Sequence, residues 1–401
     1  MEFRQRKYTY VAIILIVCFG IVAAYGERAV SALDRNVYRH LKLFTEILDL
    51  VEKNYVEEVD SKELIQGAID GMLKSLDPHS SFLTPELYRE LKVDTEGKFG
   101  GIGIEITLVK DVLTVVAPIE DTPAHQAGVK AGDQIIRIDG ESTKDITIRE
   151  AVKKLRGLKG TKVTITIIRE GEAAPLDFTI TRAEIKIRSV RTRTYEDNYG
   201  YIRIAAFQER TADDLRQALV DLNRQLKPLR GLIIDLRNNP GGLLPQAIEV
   251  SDLFLKSGVI VSTKGRVRGM DARATAKDQG TELLVPLVVI INEGSASAAE
   301  IVAGALQGNK RATVVGTRSF GKASVQTIIP LDGGNALRLT TAKYYTPDGR
   351  SIHGGGIVPD VTVKPVKPAN EKETDELVRD NQLKEALDLL KGQVRAATRA
   401  G

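Results

Sequence analysis

The rhythm of apolar positions changes along this chain, and each change predicts a different kind of element. Residues 8–26, YTYVAIILIVCFGIVAAYG, form an apolar run with no charge inside it. About 20 apolar residues span a bilayer, whereas about 7–15 make a signal-peptide core. The run is nearer the first length and predicts a transmembrane helix, with a cleaved signal peptide as the alternative. Arg4, Arg6 and Lys7 precede it, so the positive-inside rule places the N-terminus in the cytoplasm and everything after Glu27 outside. From 36 to 91 the spacing is helical: LKLFTEILDLVEKNY and SKELIQGAIDGMLKSL repeat apolar residues every three to four positions. Asp60 or Ser61 reads as the cap of the second helix, and DPHSSFLTPE breaks the pattern. Amphipathic helices just outside a membrane predict packing on a partner or on their own domain, the first of which would make a homo-oligomer through them.

From about 95 to 182 the rhythm becomes that of short strands punctuated by glycine. GKFGGIGIEI opens with a Gly-rich loop and runs into a strand placing Ile102, Ile104 and Ile106 on one face. DTPAHQAGVKAGDQIIRIDG predicts a short helix, a turn and a strand. TIREAVKKLRG is an amphipathic helix, and TKVTITIIRE an alternating strand. Successive backbone N–H groups in such a loop can hold a terminal carboxylate, while the edge strand pairs with the peptide behind it. With AGVKAGDQIIRIDG following, the segment resembles a PDZ domain. Phe99, Gly100, Gly101, Ile102 and Gly103 are then the expected carboxylate-binding loop.

Between 199 and 363 strands alternate with helices, which predicts an α/β sheet covered on both faces. GYIRIAAF, GLIIDLRNNPGG and PLVVIINEGSASAAEIVAGALQG each begin with a strand. Thr211 reads as the cap of the helix after the first. Chemistry in such sheets gathers in loops at the carboxyl ends of strands, where NNPGG and NEGSAS both lie. After 367 the chain is charged and helical and reads as a surface helix. The expected organisation is a basic segment and membrane or signal helix (1–26), a helical region (27–94), the inserted β-rich PDZ-like domain (95–183), an α/β core with a mixed sheet (184–366) and a helical tail (367–401).

Composition narrows the function. The chain has 401 residues, no Trp, 5% aromatics and a formal net charge of +4. That balance carries no nucleic-acid footprint. The single cysteine, Cys18, lies in the apolar run, which excludes an intrachain disulfide, a zinc finger and a catalytic thiol in the exported part. His40, His79, His125 and His353 are too scattered to suggest a metal site.

The informative pair is LVVIINEGSASAAE (287–300) and SFGKASVQ (319–326). Ser297 would sit past a buried strand at the mouth of a helix, and Lys322 follows 25 residues later between Gly321 and Ala323. A lysine stripped of its proton by burial can activate a serine in place of histidine. The backbone N–H of Ala298 would be one oxyanion donor, and the loop holding Gly241 and Gly242 could supply the second. Gln326, four residues after Lys322, would share its face if both lay in a strand. By residue type alone Ser297 also reads as a helix cap, Ser295 is a rival nucleophile and Lys322 a loop lysine. His353 in GRSIHGGG permits a histidine-based hydrolase, although GSASA is not the elbow of such enzymes.

NEGSASAAE, FGKASVQ, DLRNNPGG and YYTPDGRSIHGGGIVPDV together resemble the carboxyl-terminal processing (tail-specific) protease family, over roughly 36–365. The resemblance implies a serine endopeptidase with Ser297 as nucleophile, Lys322 as general base and Gln326 as third catalytic residue. It also implies an oxyanion hole near Gly241, Gly242 and Ala298, and no metal or nucleotide cofactor. The implied substrates are proteins with free apolar C-termini held by the PDZ domain. The implied location is the bacterial periplasm or cell surface, tethered to the inner membrane or released if the helix is cleaved. An activating adaptor is a further expected partner. The competing expectation is a PDZ scaffold or chaperone adaptor on an inactive protease fold.

Overall fold

The structure, a computed structural model, describes residues 35–400 apart from 196–197, 227, 268, 270, 281–282 and 367–374. The apolar run 8–26 lies outside the described residues. Among the described residues no helix is long and apolar enough to cross a membrane. The chain divides into two compact units, Met1–Phe82 and Leu83–Gly401.

In the first unit, α1 (Arg35–Asn54) and α2 (Ser61–Lys74) follow the helical periodicity. Asp60 caps α2, its carboxylate accepting the Lys62 N–H at 2.8 Å. Leu41, Phe44, Ile47 and Leu50 on α1 are exposed.

The second unit begins with α3 (Pro85–Glu96), which has Thr84 as cap and proline in its first turn. Strand β1 (Lys98–Gly101) leads into the inserted domain: β2 (Ile104–Val109), β3 (Val112–Pro118), β4 (Gln134–Ile138), α4 (Ile148–Leu155), β5 (Lys162–Ile168) and β6 (Leu176–Thr181). The five strands β2 to β6 join antiparallel in chain order. A capping box between Thr147 and Glu150 starts α4. Buried Ile102, Leu113, Ile135, Ala151, Leu155 and Ile165 form this domain's own core, with Ile104 and Ile106 packed against it. The chain leaves through β7 (Ala183–Lys186), which pairs antiparallel with β1, Gly101 facing Ala183 and Lys98 facing Lys186. Phe99, Gly100 and Gly101, expected in a loop, are therefore strand residues. The reason is the ladder with β7, which pairs Phe99 with Ile185 and Gly100 with Glu184; glycine at 100 leaves room for the Gly157 carbonyl oxygen, which a Cβ there would meet at 2.0 Å.

The α/β core contains β8 (Val190–Tyr195), β9 (Tyr199–Ile204), α5 (Thr211–Gln225), β10 (Gly231–Asp235), α6 (Leu244–Asp252), β11 (Val259–Gly265), β12 (Ala272–Thr275) and β13 (Leu287–Ile291). It continues with α7 (Ala298–Gly308), β14 (Thr313–Gly316), β15 (Ser324–Pro330), β16 (Ala336–Tyr345), β17 (Val361–Thr362) and α8 (Asn381–Ala400). Its main sheet has the order β8-β9-β10-β13-β14-β17. Only β8 runs antiparallel to its neighbour, so the sheet is mixed. Strands buried on both faces need apolar residues at every position. Accordingly Leu232, Ile234, Leu287 and Val289 face α5, α6 and α7 on one side. Ile233, Val288 and Ile290 face the other side, against Leu383, Leu387 and Leu390 of α8. A second sheet contains β15, β16, β11 and β12.

Two expectations change here. Thr211 is the first residue of α5 rather than its cap. Its hydroxyl is drawn to the preceding loop, accepting the Gln208 N–H at 2.8 Å. The helix after 367 is no surface appendage, because its apolar stripe closes the second face of the main sheet.

Candidate active site

Strand β13 is fully buried and ends at Ile291. The turn that follows brings Ser297 to the mouth of α7 with φ 54° and ψ −116°. Such positive φ is uncommon outside glycine and concentrates at functional positions. The loop after β10 presses against this serine. A Cβ on Gly241 would lie 2.7 Å from the Ser297 Cβ and 3.0 Å from the Ala298 nitrogen, and φ there is +102°. At Gly242, with φ +140°, it would lie 2.2 Å from the Phe207 carbonyl oxygen. Only glycine fits at either position. The Gly241 N–H donates to Asn239 Oδ1 at 2.8 Å. Among the described residues the N–H groups of Gly242 and Ala298 have no hydrogen-bond partner. Ser295 is fully buried and its hydroxyl is committed: it donates to the Leu236 carbonyl at 2.8 Å and accepts the Asn292 N–H at 2.9 Å.

Lys322 is half-buried in the loop before β15, with Gly321 and Ala323 buried on either side. One side chain that residue-type reasoning missed joins this loop to the serine. Glu300, in the first turn of α7, is 1% exposed. Its Oε2 accepts the Ser297 N–H at 2.8 Å and the Lys322 N–H at 2.9 Å. Its Oε1 accepts the Gly321 N–H at 2.7 Å and the Ser319 hydroxyl at 2.6 Å. Burial raises its carboxyl above the ordinary value, and these four donors hold the rise back. The Tyr344 hydroxyl donates to the Lys322 carbonyl and lies 3.2 Å from the Ser297 carbonyl oxygen. Burial, and then the neighbouring Glu300 charge, push that phenol far above its usual range. The signal for Glu300 was present in the sequence as Ser-x-x-Glu, the spacing of a capping carboxylate.

Gln326 lies in β15, but Lys322 precedes that strand by two residues, and the pairing with β16 shifts register between Val325 and Gln326. Simple alternation therefore does not put the two on one face. The Gln326 amide donates to the Ser324 hydroxyl at 2.8 Å and to Thr340 Oγ1 at 3.3 Å. His353 is exposed in a turn whose Gly354 N–H donates to the Gly321 carbonyl at 2.9 Å. That turn supports the Lys322 loop through its backbone.

In the inserted domain, Ile104 and Ile106 of β2, Val152 and Leu155 of α4, and Phe99, Ile102 and Gly103 line a groove of about 70 Å³. The carbonyls of Ile102 and Gly103 are tied to the N–H groups of Ala124 and Ile119, both at 2.9 Å. Arg156 stacks 4.3 Å from the centre of the Phe99 ring. Among the described residues no cluster of His, Cys, Asp and Glu could hold a metal ion.

Comparison with known proteins now fits this geometry to a lineage. Residues 198–363 match peptidase family S41, residues 114–169 match a PDZ domain, and residues 24–86 match the activating protease CtpB N-terminal domain. The carboxy-terminal-processing protease of Bartonella bacilliformis is 48% identical over 353 residues, covering 88% of this chain and 81% of that protein. The carboxyl-terminal-processing protease of a Synechocystis species is 38% identical, covering 87% and 82%. The carboxy-terminal processing protease CtpA of Bacillus subtilis is 34% identical, covering 89% and 77%. A serine at a helix mouth, an inserted PDZ domain and this similarity over most of the chain agree: the protein belongs to the carboxy-terminal processing proteases of peptidase family S41.

Proposed function

We propose that this protease is an exported, membrane-tethered endopeptidase that cuts proteins bearing free apolar C-termini, with Ser297 as nucleophile and Lys322 as general base. The observation that carries the reading is the Glu300 carboxylate, which binds the backbone of Ser297 and of Lys322 at once. The groove between β2 and α4 suits an extended apolar tail added as a strand. The apolar run 8–26 behind a basic segment supports export and tethering.

Uncharged Lys322 takes the Ser297 hydroxyl proton while Oγ attacks the scissile carbonyl. The resulting oxyanion lies at the N-terminal end of α7, where the Ala298 N–H and the helix dipole stabilise negative charge. The Gly242 N–H is the candidate second donor. Collapse breaks the C–N bond, and the Lys322 ammonium returns its proton to the leaving amine. Water, deprotonated by Lys322, then attacks the Ser297 ester; the acid leaves and the serine recovers its proton. Gln326 helps to orient this centre.

The test is cleavage by the full chain of an unfolded protein ending in an apolar carboxylate, with EDTA present throughout. Ser297→Ala and Lys322→Ala should each abolish cleavage, and His353→Ala should retain it. Cleavage surviving in either of the first two variants would refute the Ser-Lys mechanism.

A further inference from the structure

Away from the serine, an ionic cluster joins the C-terminal segment to the loop after β10. Arg237 is the second residue after β10, with its side chain 13% exposed. Its guanidinium forks onto Asp235 at 2.6 to 3.1 Å. It also grips Asp380 through two bonds, Nη1 to Oδ1 at 2.8 Å and Nη2 to Oδ2 at 2.6 Å, and reaches Gln382 Oε1 at 3.1 Å. Asp235 is fully buried and accepts the Tyr201 hydroxyl at 2.8 Å. Asp380 itself caps α8, accepting the Leu383 N–H at 3.0 Å.

The loop is bonded directly to the segment that carries the nucleophile. The Ala296 N–H donates to the Asn239 carbonyl at 2.9 Å, and the Asn238 and Asn292 amides pair at 2.8 Å. Asp235 is only two residues from Arg237 and constrains it locally. Asp380 is 143 residues away and is fixed by the buried stripe of α8. A two-bond arginine–carboxylate contact sets direction as well as distance. Asp380 lies beyond the segment 198–363 that matches the peptidase family.

We propose that Asp380 is a positioning residue for catalysis: acting through Arg237, it sets the loop that presents Gly241 and Gly242 beside Ser297. The inference rests on the Ser297 reading above. It makes α8 part of the catalytic support as well as a cover for the sheet.

The experiment uses the full chain and compares Asp380→Asn, Asp380→Ala and Asp380→Glu at a temperature where thermal unfolding shows every variant folded. Glu376→Gln is the control, because Glu376 also ties the C-terminal segment to the core, through Arg193 and Tyr195, without touching the loop. The readouts are kcat, KM and the affinity of a peptide boronate, whose tetrahedral adduct imitates the oxyanion. Asp380→Asn and Asp380→Ala should lower kcat and boronate affinity together, about tenfold to a hundredfold, as small misplacements do. KM should hold, Asp380→Glu should recover most of the loss, and Glu376→Gln should match the wild type. Unchanged kcat and boronate affinity, or an equal loss in Glu376→Gln, would overturn the inference. Ser297→Ala run alongside separates the two claims: if it still cleaves, the Ser-Lys reading is at fault, and if it is dead while Asp380→Asn is normal, only this inference is.

Discussion

Glu300 shows what one residue can organise. Its two oxygens receive four donors from two loops. Glu300→Gln keeps the shape but turns one acceptor into a donor, which then faces N–H or O–H groups. Those groups lose a buried acceptor at a cost of about 1–3 kcal/mol each. The expected result is a kcat about tenfold to a hundredfold lower, read in single-turnover cleavage. The same variant carries a pH signature. The carboxyl is raised chiefly by burial, so the folded chain holds that proton more tightly than the unfolded chain does. Its contribution to stability is therefore full below the unfolded value of about 4.3. It is lost as pH rises through the higher folded value. Denaturant unfolding should show the wild type losing stability relative to Glu300→Gln over that rise; a constant difference would contradict the assignment. The Ser-x-x-Glu spacing was legible in the sequence as a helix cap. That the same carboxylate also serves Gly321 and Lys322 was not, because nothing local says which distant loop returns to it.

At the scale of elements, the local signals were largely sufficient. The capped helix α4, the alternating strand β5 and the doubly buried strands β10 and β13 follow from periodicity and capping residues. Helix α8 was visible as a helix but not as a layer of the core, since a charged amphipathic stretch reads the same whether its stripe meets a sheet or water. Its Leu390 is fully buried against the sheet. Leu390→Ala should cost about 2–5 kcal/mol through lost contacts and a residual cavity, measured by chemical denaturation. A cost near zero would mean that α8 is peripheral. Strand β15 shows the opposite limit: the register shift at Gln326 depends on β16 and has no signature in SVQTIIP itself.

For the whole molecule, the decisive feature is how the PDZ domain is inserted. Its chain enters by β1 and returns by β7, paired side by side, so residues 102–182 loop out from one ribbon and can be replaced by a short turn. We expect that replacement to abolish discrimination between substrates ending in a free apolar carboxylate and the same substrates amidated at the C-terminus. The full chain should cut the free-carboxylate form faster. Competition assays with the paired substrates measure this; equal preference before and after excision would show that the groove between β2 and α4 does not select tails.

The sequence by itself determined most of the elements and the inserted domain, because hydrophobic period, capping and glycine punctuation are local physics written into neighbouring residues; Ser297 and Lys322 it offered only as candidates, a helix cap and a loop lysine by residue type, which the family motifs single out. Tertiary structure alone decided that Ser295 is bound up in the turn, that Gly241 abuts the Ser297 Cβ, that Glu300 joins two loops, and that Asp380 reaches Arg237 across 143 residues. Those are contacts between parts of the chain far apart in sequence. They exist only after the sheet has stacked β10, β13 and β14 side by side and brought their terminal loops to one edge.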